Sequence, residues 1–147
     1  MNAIAPRVVA EKLQHHVIYV NDLEESLGFY TRIFDLQVSA RNHPNSSAAM
    51  RLANMEMRFF SFGHYHHDIC FVKHGKLKMD NGSMLSFALV ARGRAAFDAI
   101  RARAAQAGVA IRDGRLLKSA KLAQGARAFW LQDPNGHVVE VLEEIAS

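Results

Sequence analysis

The feature that most constrains the fold of this chain is a repeat of its own pattern after 70 residues. The order of predicted elements recurs: a strand, a helix, then three or four strands. Apolar positions coincide at this offset: Leu27 with Phe97, Tyr30 with Ile100, Phe34 with Ala104, Ile69 with Val139, and Phe71 with Val141. One such unit cannot bury a full sheet face alone, so we expect the two units to pair.

The repeat predicts an α+β fold of two tandem βαβββ modules, forming a cupped mixed β-sheet with the helices outside. Module one covers about residues 12–75 and module two about residues 83–145. A chain of 147 residues has the usual size of one domain, so residues 1–147 are predicted to form a single domain.

Capping and turn residues set the ends of the elements. Asp22 followed by Glu25 resembles a capping box and predicts a helix over about 22–34. A second helix is predicted over about 94–107, ending at Gly108 because glycine accepts positive φ. The stretch 133–136, Asp-Pro-Asn-Gly, predicts a hairpin. The predicted strands are 13–20, 36–40, 48–53, 57–62, 68–73, 83–91, 109–112, 126–132 and 137–143.

Composition excludes several classes of protein. A single cysteine rules out an intrachain disulfide and favours a reducing cytoplasm. No apolar run approaches the roughly 18 residues needed to span a membrane. The net charge is +4, and many of its arginines lie between 92 and 115, where Phe97 is the one aromatic residue. We interpret this stretch as a solvated helix face rather than a nucleic-acid surface. A basic rim that attracts anionic substrates is the alternative.

Three segments carry a family resemblance. The run LQHHVIYVNDLEESLGFYTRIFDL resembles the opening signature of the vicinal oxygen chelate superfamily, which includes glyoxalases, bleomycin and fosfomycin resistance proteins and extradiol dioxygenases. The closing FWLQDPNGHVVEVLEE is similar to its terminal DPxGxxxE hairpin, and FFSFGHYHHDICF resembles a strand of its dioxygenase-like branch. The resemblance covers about residues 12–145.

The resemblance implies a divalent metal held on the concave face of the sheet. In the family's opening motif the ligand histidine stands seven residues before the aspartate that starts the helix, so Asp22 points to His15 as one ligand. The family's closing motif selects Glu140 as another. Strand alternation agrees, since it places His15 with Val17 and Tyr19 and turns His16 toward the helix. His15 and Glu140 are therefore predicted to share one cavity, with ordinary polar strand residues as the alternative.

The two remaining ligand positions depart from the family pattern. Cys70 stands at one of them, and the other falls on Ser86 by local pattern or on Leu85 by the 70-residue offset. Serine and leucine are not normal ligands for Fe²⁺, Mn²⁺ or Zn²⁺, and a buried cysteine is usually a small hydrophobe. His66 is the predicted replacement, completing a set of two histidines and one carboxylate with His15 and Glu140.

Two functions of different classes follow from the resemblance. One is a metal-dependent enzyme of extradiol dioxygenase or glyoxalase type, in which His66 or Tyr19 transfers protons. Its expected ion is Fe²⁺, with Mn²⁺ or Zn²⁺ as alternatives. The other is a metal-free protein that binds or sequesters a small molecule. His15 and Glu140 favour the enzyme, whereas Ser86 favours the metal-free protein. The expected partners are a small-molecule substrate and a second copy of the chain in a homodimer, with no nucleic acid and no membrane.

Overall fold

The computed structural model describes residues 15–42, 56–63, 68–74, 86–116 and 125–144, and these contain two helices and eight strands. The helices are α1 (Leu23–Phe34) and α2 (Gly93–Gln106). The strands are β1 (His16–Val20), β2 (Gln37–Asn42), β3 (Met57–Ser61), β4 (Ile69–Lys73), β5 (Ser86–Ala91), β6 (Arg112–Asp113), β7 (Ala128–Gln132) and β8 (Val138–Glu143). The strand predicted over 48–53 lies outside the described residues.

The strands form two four-stranded sheets with the same topology. The first has the order β1-β4-β3-β2 and the second the order β5-β8-β7-β6. In each sheet the first and last strands of the module pair in parallel, and the other pairs are antiparallel. The prediction of two βαβββ modules is confirmed, and β1 and β5 are edge strands of their sheets.

One hydrophobic core joins the two modules. α1 packs on the first sheet, α2 packs on the second, and the two helices contact each other. Ile18 and Val20 are fully buried, whereas Val17 is 43% and Tyr19 47% exposed. The predicted alternation of β1 is therefore confirmed, with one face toward the helices and a far face away from them.

Local hydrogen bonds fix the helix ends. The Asp22 carboxylate accepts from the Glu25 amide at 2.9 Å, as predicted for the start of α1. Gly108 has φ +73° after α2, and the Val109 amide donates to the Ala104 carbonyl at 3.0 Å. That bond ties Val109 to the helix end, so the strand predicted over 109–112 begins only at Arg112, and β6 contains Arg112 and Asp113.

A buried polar network attaches α1 to the β7–β8 turn. The Tyr30 hydroxyl donates to Asp133 Oδ2 at 2.8 Å, and Asn135 Nδ2 donates to Ser26 Oγ at 3.0 Å. The Asn21 amide donates to Asn135 Oδ1 at 2.9 Å. Burial, reinforced by the negative charge of Asp133, raises the pKa of Tyr30 well above its usual value. The network holds the modules in a fixed relation, which also fixes the relation of β1 to β5.

Candidate functional site

A cavity of about 390 Å³ lies between the two edge strands β1 and β5. Its described lining comes from the first sheet, the loop after β3 and the start of β5: His15, His16, Phe62, Asp68, Ile69, Ser86, Phe87, Ala88 and Leu89. The volume and the mostly apolar lining with a few polar groups are typical of a small-molecule site.

The strand registers identify equivalent positions in the two modules. Val17 pairs with Cys70 in the first sheet, and Ala88 pairs with Glu140 in the second. Cys70 and Glu140 occupy equivalent positions, so their partners Val17 and Ala88 are equivalent as well. Two residues before Val17 is His15, and its counterpart is the residue two before Ala88. That residue is Ser86, and the registers therefore favour Ser86 over Leu85 as the counterpart of His15. Leu85 itself lies outside the described residues.

Both histidines of the HH pair line the cavity. His15 is exposed and is among the lining residues. His16 is half-buried, and its ring lies 6.3 Å from the ring of Phe87, centroid to centroid. The expectation that His16 packs only toward a helix is therefore corrected. Because β1 is an edge strand, its inward face borders the gap between the sheets as well as the core.

The carboxylate of Asp68 stabilises the loop beside the cavity. Asp68 Oδ2 accepts a hydrogen bond from the Phe62 amide at 2.8 Å, which links the two ends of the loop between β3 and β4. His66 belongs to the part of that loop outside the described residues, so the predicted third ligand has no described position.

Glu140 is buried and bound by its own chain. Its Oε2 lies 2.7 Å from Arg115 Nε and 3.2 Å from the Leu116 amide, both donors from the segment after β6. Glu140 is not among the described residues that line the cavity. The carboxylate selected by the family motif thus has two donors on one oxygen, one of them a guanidinium.

Cys70 has the properties of a small apolar side chain. It is 3% exposed, and its Sγ lies 3.7 Å from Met57 Sδ on the far face of the first sheet. Burial raises the pKa of Cys70 to about 11, so the thiol stays protonated near neutral pH. A metal ligand has to be the thiolate, and the interpretation of Cys70 as a hydrophobe agrees with this environment.

The described residues do not fit a divalent metal site. Within that part of the chain, no three histidine, cysteine, aspartate or glutamate side chains are arranged to hold a metal ion. His15 is an imidazole of the right type, but Ser86 faces the same cavity and Glu140 is bound to Arg115. No chemical step through a metal follows from this geometry.

Tyr19, predicted as a proton-transfer residue, lies outside the cavity lining among the described residues. Its ring contacts His74 edge-on at 5.7 Å on the far face of the first sheet. Its carbonyl oxygen lies 2.7 Å from His137 Nε2, a further link between the modules.

The basic stretch between 92 and 115 has more than one role, which sequence reasoning missed. Arg112 lies over the ring of Trp130 at 5.2 Å, and Arg101 pairs with Asp113 at 2.5 Å. Arg115 pairs with Glu140. The interpretation as one solvated helix face is wrong for Arg112 and Arg115, because both lie beyond the end of α2.

Comparison with known proteins identifies the family. The sequence matches the model of the Glyoxalase/Bleomycin resistance protein/Dioxygenase superfamily over residues 12–141. The chain belongs to this superfamily. No curated protein matches the sequence. The family resemblance predicted from the opening and closing motifs is confirmed.

Solved structures of this superfamily share the fold at low identity. The fosfomycin resistance protein FosX from Listeria monocytogenes is 18% identical, with 93% of this chain and 96% of FosX covered and a TM-score of 0.63. A lactoylglutathione lyase from Agrobacterium tumefaciens is 17% identical, with coverage of 92% and 95% and a TM-score of 0.63. A FosX mutant complexed with Mn(II) and 1S,2S-dihydroxypropylphosphonic acid is 16% identical, with coverage of 91% and 93% and a TM-score of 0.62.

Neither α1 nor α2, the helices of the described residues, has the length and apolar character needed to cross a membrane.

Proposed function

We propose that this superfamily member binds a small, largely apolar molecule in the β1–β5 cavity without a metal ion. The observation that carries the proposal is the ion pair of Arg115 with Glu140, at 2.7 Å. It occupies Oε2 of the carboxylate that the family motif selects for metal binding. Ser86 at the position equivalent to His15 supports the same proposal.

The ion pair opposes metal binding energetically. The side chains of Arg115 and Glu140 are 23% and 11% exposed. Removing one partner of a fully buried pair costs about 3–5 kcal/mol, and a partly exposed pair costs less. A metal ion on the other oxygen of Glu140 would lie beside the Arg115 guanidinium, whose positive charge repels it, and displacing the guanidinium would carry this cost.

The lining of the cavity suits an uncharged ligand. Five of its described residues are apolar: Phe62, Ile69, Phe87, Ala88 and Leu89. The polar residues contribute two imidazoles, a hydroxyl and one carboxylate that already accepts a hydrogen bond. The described lining includes no lysine or arginine, so it offers no fixed cation for an anionic ligand.

Benzene titrated calorimetrically, with and without EDTA, tests the proposal. We expect binding that EDTA leaves unchanged, because apolar contacts supply the affinity. Ala88→Phe should abolish binding by filling the cavity, whereas Val90→Phe should leave it unchanged. Val90 lies on the same strand and face as Ala88 but is not among the lining residues and is 64% exposed. Binding that EDTA removes would contradict a metal-free site.

A second candidate function is the metal-dependent enzyme predicted from the sequence, of extradiol or glyoxalase type. It is favoured by His15 and Asp68, an imidazole and a carboxylate that line the same cavity. His66 would add the third ligand or transfer protons. An Fe²⁺, Mn²⁺ or Zn²⁺ ion would supply Lewis-acid chemistry.

Ser86→His tests the second candidate because it adds an imidazole at the position equivalent to His15. A metal site would then bind Zn²⁺ more tightly, as judged by calorimetry. Unchanged Zn²⁺ affinity would contradict it.

The assembly and location of the chain complete the proposal. We propose a homodimer, since Val17, Tyr19 and Val90 expose apolar surface on the far faces of the sheets. We also propose a cytoplasmic location, where a reducing environment keeps the single thiol of Cys70 reduced.

A further inference from the structure

We propose that a groove along α1 binds a linear zwitterion whose ammonium and carboxylate groups lie about 10 Å apart. The α1 groove has a volume of about 310 Å³. It lies between α1, the residues Ala107 and Val109 after α2, and Pro134 of the β7–β8 turn. Its described lining shares no residue with the described lining of the β1–β5 cavity, so the inference does not depend on the proposed function.

Gly28 is a residue of α1 that the fold itself does not require. It lies inside the helix, where glycine is less favourable than alanine. The other six glycines of the described residues have positive φ, whereas Gly28 does not. A Cβ atom at Gly28 would meet no atom within 4 Å, so no packed neighbour excludes a side chain there. What the glycine does is keep the α1 groove open, since Gly28 is exposed and lines it.

Charges of opposite sign flank Gly28 along the groove. Glu25, Gly28 and Arg32 are spaced i, i+3 and i+7, so they share one face of α1. Glu25 and Arg32 are therefore about 10 Å apart along the helix axis, at about 1.5 Å per residue. Both side chains are exposed, and neither has an ion pair among the described residues. Glu24 also lines the groove, but it pairs with Arg58 at 3.1 Å.

This arrangement determines the class of ligand. An ammonium group would pair with Glu25 and a carboxylate with Arg32, whereas the two charges of a single α-amino acid are too close together to reach both. The partly exposed floor between them is apolar and comes from Phe29, Ala107, Val109 and Pro134. The middle of the ligand is therefore apolar as well. Three extended residues span about 10 Å, so a tripeptide with small side chains fits, as does an ω-amino acid of the same length.

Trialanine and 8-aminooctanoate are the two probes, one for each source of this chemistry. Each is titrated into the ¹⁵N-labelled full chain, and the amide resonances of Phe29 and Val109 are followed by NMR. We expect at least one to bind, and the one that binds identifies the source. Glu25→Gln should weaken the binding of that probe about fivefold, as for one exposed ion pair of about 1 kcal/mol. Acetylating its amino group should cause a similar loss, after which Glu25→Gln should have no further effect.

Substitutions on α1 test the role of Gly28. Gly28→Leu should abolish binding, because the leucine side chain fills the groove. Its unfolding midpoint should rise, because leucine is a better helix former than glycine, so the loss of binding cannot be ascribed to unfolding. Thr31→Leu is the matched control. Thr31 is exposed on the same helix but is not among the described residues lining the groove, and its substitution should leave binding unchanged.

Three results would overturn the inference, and none of them bears on the β1–β5 cavity. The first is the failure of both probes to bind the unmodified protein. The second is an equal loss of binding in Gly28→Leu and Thr31→Leu, which would show that the probe does not occupy the groove. The third is an acetylated probe that Glu25→Gln still weakens, because Glu25 would then not pair with the ammonium group.

Discussion

The hydroxyl of Tyr30 is the most informative single group of the inter-module network. Tyr30 is fully buried, and its hydroxyl donates to Asp133 Oδ2 at 2.8 Å. In Tyr30→Phe that oxygen keeps one long contact, from Asn135 Nδ2 at 3.5 Å. The ring contact with Phe71, at 4.9 Å between centroids, is retained. The substitution thus removes a hydrogen bond and almost nothing else.

The expected loss follows from the charge of the acceptor. Hydrogen bonds to charged groups contribute about 1.5–3 kcal/mol, so we expect Tyr30→Phe to lower the free energy of unfolding by about 2 kcal/mol. For a chain of this length that is a fall in Tm of roughly 4–8 °C. Urea unfolding can be followed by the fluorescence of Trp130, the single tryptophan.

Tyr19→Phe provides the control, because Tyr19 is 47% exposed and its hydroxyl should contribute less than about 0.5 kcal/mol. The reasoning is refuted if the two variants lose similar stability. It is also refuted if Tyr30→Phe changes only the urea m-value, since the hydroxyl would then act on cooperativity between the modules rather than on the native state.

Three further predictions concern stability and assembly. Hydrogen bonds from Arg127 hold the pKa of Glu143 below its usual value. The stability that Glu143 contributes is therefore present above its unfolded-state pKa and is lost as pH falls through the lowered value. Urea unfolding at several pH values measures the free energy of unfolding of the unmodified protein and of Glu143→Gln. The difference between the two should shrink in acid, and a difference that does not change with pH would contradict this. Gly108→Ala should lower the free energy of unfolding, measured in urea, by about 1 kcal/mol because φ at Gly108 is +73°. Gly28→Ala, in open space on α1, should raise it by about 0.5–1 kcal/mol. Both substitutions changing stability in the same direction would contradict this reasoning. Val90→Glu should shift the mass measured by light scattering from dimer to monomer, and a monomeric unmodified protein would rule out the homodimer.

Local sequence signals predicted the fold well where the determining contacts are local. The alternation of β1 was readable because Ile18 and Val20 need a buried face. The β7–β8 hairpin was readable because Asp-Pro-Asn-Gly favours a turn, in which Gly136 has φ +86°. The capping contact of Asp22 spans three residues and was also readable. Val109 was assigned to a strand in error because a β-branched residue after a helix looks the same whether it begins a strand or closes the helix.

Contacts between distant residues were not readable from the sequence. Ser26 is a polar residue of α1, yet it is buried and accepts a hydrogen bond from Asn135, 109 positions away. The partner of Glu140 was missed for the same reason, since Arg115 looked like one more charge in a basic stretch. The family motif identified which carboxylate matters, but it carries no information about which side chain reaches it. Strand parity separated His15 from His16, but both line the cavity, because the gap between the two edge strands is reached from either face of β1.

Metal content is the most direct test of the central claim that this site binds its ligand without a metal ion. The protein would be purified without chelator, incubated with Fe²⁺, Mn²⁺ or Zn²⁺, and desalted before elemental analysis. Because Arg115 binds Glu140 and a serine, Ser86, stands at the position equivalent to His15, we expect far less than one equivalent of any of the three ions. One equivalent of metal that both His15→Ala and Glu140→Ala abolish, with the fold intact, would contradict the account and restore the metal-dependent enzyme.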